Sequence, residues 1–114
     1  CKLMLHVRVV AMYTLCFFVP VTHVENVKRA IFLTGAGQAG NYDCCSWQAL
    51  GAGQFRPLSG SDPFIGSVGE LEVLEEYKVE MVCADEFILE AVKALKQAHP
   101  YEEPAFQVIK LADF

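Results

Sequence analysis

Hydrophobic and polar residues alternate over positions 69–83, where glutamates and one lysine separate leucine, valine, tyrosine and methionine. A period of two is typical of a β-strand that buries one face and exposes the other to water. Leu74 and Glu75 interrupt the alternation, so we expect a bulge or a subunit contact there. We interpret the glutamate-rich face as a solvated surface.

Strand character recurs in three other places, over residues 13–19, 44–50 and 105–111. The first of these is an apolar run that Pro20 stops, and we expect it to be buried. Gly51–Pro57 contains two glycines and ends in proline, which predicts a bend followed by a long loop. All eight glycines lie between positions 35 and 69, so loops and turns are expected to concentrate in that region.

Two segments have the spacing of apolar side chains, about 3.6 residues, that is typical of amphipathic helices. The first follows Thr22 and is expected to end at Gly35 or Gly37. Thr22 and Glu25 have the spacing of a capping box, in which each side chain accepts the other residue's backbone N–H. The second helix is expected to start at a capping Asp85 and to run to about Ala98.

The predicted order of elements is strand, helix, strand, strand, helix, strand. This is the ferredoxin-like βαββαβ plan, an α+β fold with a four-stranded antiparallel sheet and two helices on one face. The opposite face of the sheet needs cover, and the strands carry many apolar residues. We therefore predict a homo-oligomer.

The chain has 114 residues, a net charge of −5 and 54% hydrophobic residues, as expected for one folded domain. Its nine lysines and arginines are scattered, so we expect no nucleic-acid partner.

His6 and Arg8 interrupt the apolar N-terminal run, so we expect no membrane span. Residues 1–11 are predicted to be a dispensable N-terminal extension, and residues 12–114 a single ferredoxin-like domain. The five cysteines lack zinc-site spacing and predict free thiols in a cytoplasmic protein.

The segment His99–Phe106, which we call the proline segment, holds the densest group of chemically useful side chains. Pro100 and Pro104 restrict its backbone, so the polar groups between them point in few directions. We predict that these groups line a ligand-binding cleft together with part of the glycine-rich region. The predicted ligand-binding residues are His99, Tyr101, Glu102, Glu103, Asn41, Tyr42 and Asp43.

Nitrogen and oxygen donors in the proline segment suit a divalent metal ion as a cofactor, and the predicted metal ligands are His99 and Glu103. In the alternative interpretation, His99 caps the last carbonyls of the second helix, and the glutamates form surface or intersubunit hydrogen bonds. The residues alone leave both interpretations open.

Five ordered motifs resemble the domain inserted in the Nif-three-like family, whose members are called GTP cyclohydrolase type 2 homologues. The motifs are Gly35–Gly37, Gly40–Asp43, Gly51–Pro57, Pro63–Gly66 and His99–Ala105, and the resemblance spans about residues 12–111. The His-Pro-Tyr-Glu element is also similar to one in the CutA-like copper-tolerance proteins. Together with the similarity to CutA-like and PII-like proteins, the resemblance implies the ferredoxin-like plan and a trimer.

The resemblance does not extend to the larger domain of that family, whose histidines and acidic residues hold a pair of metal ions. Only three histidines occur in this sequence, and none lies in an HxH or HExxH pattern. The di-metal site and the hydrolase activity are therefore not implied for these residues.

These observations are compatible with three functions. The main prediction is a stand-alone, oligomeric binding or regulatory module for a small ligand or a divalent metal ion. One alternative is a structural or assembly domain that binds no ligand and uses aromatic interface anchors. Those anchors would be Tyr42, Trp47, Phe55 and Phe64. The other is a hydrolase-type enzyme with a glutamate of the proline segment as general base, although adjacent carboxylates on an extended segment cannot work as a pair.

Overall fold

A computed structural model describes residues 11–114, so the predicted extension lies outside the described residues except for Ala11. The elements are β1 (Met12–Pro20), α1 (Val24–Phe32), β2 (Trp47–Phe55), β3 (Glu72–Ala84), α2 (Asp85–Ala98) and β4 (Phe106–Lys110). The four strands form one antiparallel sheet in the order β2-β3-β1-β4. The predicted ferredoxin-like α+β fold is confirmed.

Alternate residues of the two central strands form one side of the core. They are Leu15, Phe17, Val19, Val79, Met81 and Cys83. Both helices pack their buried side chains into the same cluster, namely Val24, Val27, Ile31, Ile88, Ala91 and Leu95. Because alternate strand residues share one face of the sheet, both helices lie on that face.

β2 (Trp47–Phe55) confirms the strand predicted over 44–50 from Trp47 onward. The bend predicted after it is wrong, because the strand continues through the two glycines to Phe55. Residues 51–55 pair with Glu72–Glu76 in an unbroken antiparallel register. Cross-strand pairing thus outweighs the weak strand preference of glycine. The bulge predicted at Leu74 and Glu75 is also wrong, because both residues keep that register.

The β2–β3 hairpin extends beyond β1 as a two-stranded arm. β1 stops at Pro20, opposite Glu76, whereas β3 continues to pair with β2 as far as Glu72. The register places Val73 of this arm and Leu50, which lies just before the arm in β2, on the core face, yet their side chains are 57% and 55% exposed. The arm and the adjoining end of β2 therefore present apolar surface that residues 11–114 do not cover.

The helix starts differ from the capping predicted for them. The His23 N–H donates to the Pro20 carbonyl at 2.9 Å, and this turn places His23 rather than Thr22 at the N-cap of α1. Because the Thr22 hydroxyl lies 2.8 Å from the His23 ring instead, the predicted capping box is wrong. Asp85 lies in the first turn of α2, and its N–H donates to the Ala11 carbonyl at 2.9 Å. Ala11, the last residue of the predicted extension, therefore takes part in the hydrogen bonding of the domain.

The four cysteines in the described part of the chain are free, and Cys16 and Cys83 are buried. Burial raises the pKa of both buried thiols above 9.0, so they stay protonated and unreactive at neutral pH.

Between residues 11 and 114, no helix is long and apolar enough to span a membrane.

Candidate ligand-binding cleft

An open cleft of about 480 Å³ lies where β1, the end of β2 and the proline segment meet. Phe18 contributes to it from β1, on the sheet face opposite the buried Phe17. Phe55 at the end of β2 and Phe64 and Ile65 of the following loop supply further apolar surface. The volume and the apolar lining suit a small organic molecule. We call this cavity the aromatic cleft.

Tyr101 of the proline segment completes the aromatic surface. The centre of its ring lies 5.9 Å from that of Phe55 and 6.4 Å from that of Phe64, within the range of favourable aromatic pairs. Phe64 also meets the His23 ring edge-on at 5.4 Å. The Phe64–Tyr101 contact thus joins the loop after β2 to the proline segment, and the Phe64–His23 contact joins the same loop to the start of α1.

Glu76 of β3 brings a fixed carboxylate into the aromatic cleft. The Tyr101 hydroxyl donates to Glu76 Oε2 at 2.8 Å. Gly53 on β2 leaves room for this carboxylate, because a Cβ atom at that position would overlap it. Burial, and then the bond to Glu76, raises the pKa of Tyr101 well above its usual 10.0. The phenol therefore stays protonated and remains a donor to Glu76 at physiological pH.

His99 lies behind the aromatic cleft and is not among its lining residues. Its side chain is buried, with Nε2 at 2.6 Å from the Phe18 carbonyl oxygen and Nδ1 accepting the Tyr101 N–H at 3.1 Å. A carbonyl oxygen can only accept, so Nε2 carries the proton and the ring is neutral. Burial lowers the pKa of His99 and so favours the neutral form.

These two hydrogen bonds occupy both nitrogens of His99, so a metal ion could bind this ring only after one bond breaks. Glu103, the other predicted metal ligand, lines the aromatic cleft. Among residues 11–114, no three or more His, Cys, Asp or Glu side chains form a group suited to a metal ion. His99 does cap α2, as in the alternative interpretation, but through its backbone: its N–H donates to the Leu95 carbonyl at 2.9 Å, while its ring bonds the Phe18 carbonyl.

Glu102 fixes the loop that borders the aromatic cleft. Both of its carboxylate oxygens accept the Asp62 N–H, at 3.2 and 3.1 Å. The structure thus brings Tyr101, Glu102 and Glu103 of the predicted set together around one cavity.

Asn41–Asp43, the rest of the predicted set, lie in an exposed turn away from this cavity. The preceding Gly37 donates its N–H to the Val82 carbonyl at 2.7 Å, and Val82 pairs with Thr14 of β1. Thr14 lies four residues before Phe18, a distance of roughly 13 Å along a strand. Within a single chain, the turn and the proline segment therefore lie toward opposite ends of the sheet.

Two important lining residues, Phe18 and Glu76, are absent from the predicted set. The signal for Phe18 is its position next to Phe17 in an extended strand, because neighbouring side chains point to opposite faces. The alternation in β3 places Glu76 on a polar face, and no local pattern links it to Tyr101, which is 25 residues away. Trp47, one of the predicted interface anchors, is 59% exposed and therefore does not lie in the core.

The fold and the cavity define a small ferredoxin-like module with a ligand-sized cleft. No family model matches the chain. A GTP cyclohydrolase 1 type 2 homolog from Halalkalibacterium halodurans is 42% identical over 103 residues, which are 90% of this chain and 28% of that protein. The homolog from Mycobacterium leprae is 44% identical over 94 residues, 82% of this chain and 24% of that protein. The chain spans about a quarter of the length of the curated relatives it matches.

Solved structures agree with this relationship. A Bacillus cereus protein related to NIF3 superposes with a TM-score of 0.80 at 36% identity, over 94% of this chain and 27% of that chain. The periplasmic divalent cation tolerance protein CutA from Archaeoglobus fulgidus superposes with a TM-score of 0.64 at 14% identity, over 90% and 86% of the two chains. The CutA match shows a shared fold. The chain is therefore homologous to one domain-sized segment of the NIF3-related GTP cyclohydrolase 1 type 2 homologs, and the predicted resemblance is confirmed.

Proposed function

We propose that this chain is an oligomeric binding module that holds a small organic molecule in the aromatic cleft. The observation that carries the proposal is the convergence of Phe55, Phe64, Tyr101 and the fixed Glu76 carboxylate on one open cavity. Apolar cavities with a few oriented polar groups are typical of small-molecule sites. We do not propose a metal ion at His99, because hydrogen bonds occupy both of its nitrogens.

The name of the relatives refers to GTP, but the aromatic cleft does not suit a triphosphate. Three carboxylates line it, those of Glu76, Glu102 and Glu103, and none of the lysines or arginines among residues 11–114 does. Phosphate sites are typically built from basic side chains, backbone N–H groups at helix N-termini, or metal ions. We therefore do not place cyclohydrolase chemistry in this cavity.

A collection of neutral, cationic and anionic aromatic fragments, followed by amide NMR shifts, tests whether the cavity binds ligands. We expect shifts confined to the end of β1, the loop after β2 and the proline segment. Phe64→Ala should weaken binding about three- to tenfold, because one wall ring is lost. Phe114→Ala removes a fully exposed ring and should leave binding unchanged. Shifts elsewhere, or no binding by any fragment, would contradict the proposal.

We also propose that the chain is a homo-oligomer, with the trimer that the CutA-like resemblance implies. β2 and β4 are the edge strands of the open sheet and leave backbone groups free to pair. The exposed apolar side chains of Val73, in the arm of the β2–β3 hairpin, and of Leu50, on the same sheet face of β2, add to this surface. Association would remove both features from water.

Sedimentation should therefore give a mass about three times the 12.6 kDa of one chain. Leu50→Asp should shift the protein toward the monomer, because it places a charge on the exposed apolar surface of β2 beside the arm. Leu89→Asp changes a side chain on α2 that is 77% exposed and should leave the mass unchanged. A single-chain mass for the unmodified protein at micromolar concentration would rule out this assembly.

A further inference from the structure

The aromatic cleft has an unbalanced charge. Glu76, Glu102 and Glu103 line it, and in the described part of the chain no lysine, arginine or histidine does. Within residues 11–114, the salt bridges of the structure join Lys28, Lys78 and Lys93 to other glutamates. Glu76 thus contributes an ionisable carboxylate without a cationic side chain from the described chain.

The Glu76 carboxylate is also held in place before any ligand arrives. Tyr101 donates to one of its oxygens at 2.8 Å, and the Tyr101 backbone N–H is itself bonded to His99 Nδ1 at 3.1 Å. Gly53 provides the space that the carboxylate fills on the neighbouring strand. A charge that is fixed in this way loses little conformational freedom when it binds a partner.

The rings beside Glu76 favour the same kind of partner. Aromatic faces attract cations, and a cation flanked by several rings and a carboxylate gains both interactions. We propose that the aromatic cleft binds an organic cation, an ammonium or guanidinium group on an apolar body, with the charge at Glu76 and the body against Phe55 and Phe64. This inference rests on the proposed function and specifies the class of its ligand.

Three probes of nearly equal shape separate charge from shape: phenethylammonium, phenethyl alcohol and phenylacetate, each titrated into the full chain and followed by amide NMR shifts. We expect the ammonium to bind at least about tenfold tighter than the alcohol, and the carboxylate most weakly. Glu76→Gln should reduce ammonium affinity about tenfold and leave alcohol affinity nearly unchanged. Glu80→Gln, on the same face of β3 but outside the cleft, should affect neither.

A second pair of variants moves the carboxylate without removing it. Gly53→Ala places a methyl group where the Glu76 carboxylate lies and should weaken ammonium binding in a folded protein. Gly51→Ala, two residues away on the same strand, meets no atom within 4 Å and should bind as the unmodified protein does. Both glycines lie in regular β2 pairing, so alanine is compatible with their backbone.

The outcomes distinguish this inference from the proposed function. Equal affinity for ammonium and alcohol, or an unchanged ammonium affinity in Glu76→Gln, would overturn the organic cation while leaving the cavity as a ligand site. Binding of neutral fragments from the mixed collection without binding of the ammonium would do the same. Failure of the three probes and of the whole collection would overturn both proposals.

Discussion

Phe17→Ala is expected to destabilise the domain by about 3–5 kcal/mol, a large share of the ~5–15 kcal/mol that stabilises a typical domain. Phe17 is fully buried at the centre of β1, among side chains of β3 and both helices. Its removal would leave a cavity that the surrounding strands cannot easily fill. Urea unfolding followed by circular dichroism would measure the loss.

Phe18→Ala is the matched control for this change, because it removes the same ring one residue further along the same strand. Phe18 is only partly buried and faces the aromatic cleft rather than the helices. We expect a loss of about 1–2 kcal/mol from the smaller buried area. Similar losses for the two variants would contradict the assignment of the two rings to opposite faces of the sheet.

His99→Ala is expected to destabilise the domain by about 2–3 kcal/mol, although His99 lies in a segment of irregular structure. The change removes the donor to the Phe18 carbonyl and the acceptor for the Tyr101 N–H. It also leaves a small cavity behind the proline segment. His23→Ala removes a partly exposed ring that contacts the Thr22 hydroxyl and the Phe64 ring but bonds no backbone group of the described residues, and should cost less, about 0.5–1 kcal/mol.

The contribution of His99 to stability should also depend on pH. Burial lowers the pKa of His99 in the folded protein below its usual 6.5, while the Phe18 carbonyl and Glu76 partly oppose this shift and His23 reinforces it. The unfolded chain then binds the proton more readily, so stability is present above pH 6.5 and is lost as the pH falls through the folded pKa. The stability difference between the unmodified protein and His99→Ala should shrink over that range in urea unfolding. A constant difference would contradict a buried, neutral His99.

The fold could be predicted where local patterns agree with long-range pairing. The alternation in β3 and the apolar face of α2 lead to the same ferredoxin-like order that the structure shows. The glycines of β2 could not be assigned in this way, because their strand conformation depends on β3 residues some twenty positions away. The start of α1 also depends on a backbone turn at Pro20, which the capping pattern at Thr22 does not reveal.

The candidate site could be predicted only in part for the same reason. The two prolines identify a stiff segment, and Tyr101 within it does line the cavity. The partner of Tyr101 is Glu76, which an alternating strand pattern describes only as a surface residue. His99 is chemically a good metal ligand, but its burial against the Phe18 carbonyl depends on tertiary packing. Spacing in the sequence carries no information about either contact.

β1 and β4 are neighbours in the sheet, so the two ends of the domain lie close together. The Leu111 N–H donates to the Met12 carbonyl at 2.9 Å, so the first and last strands begin and end side by side. The polypeptide thus enters and leaves the domain through neighbouring positions. Such a unit can be placed within a surface loop of a host protein without separating the two flanking residues of the host. A self-contained domain with this geometry can be inserted in a longer chain while both parts keep their own cores.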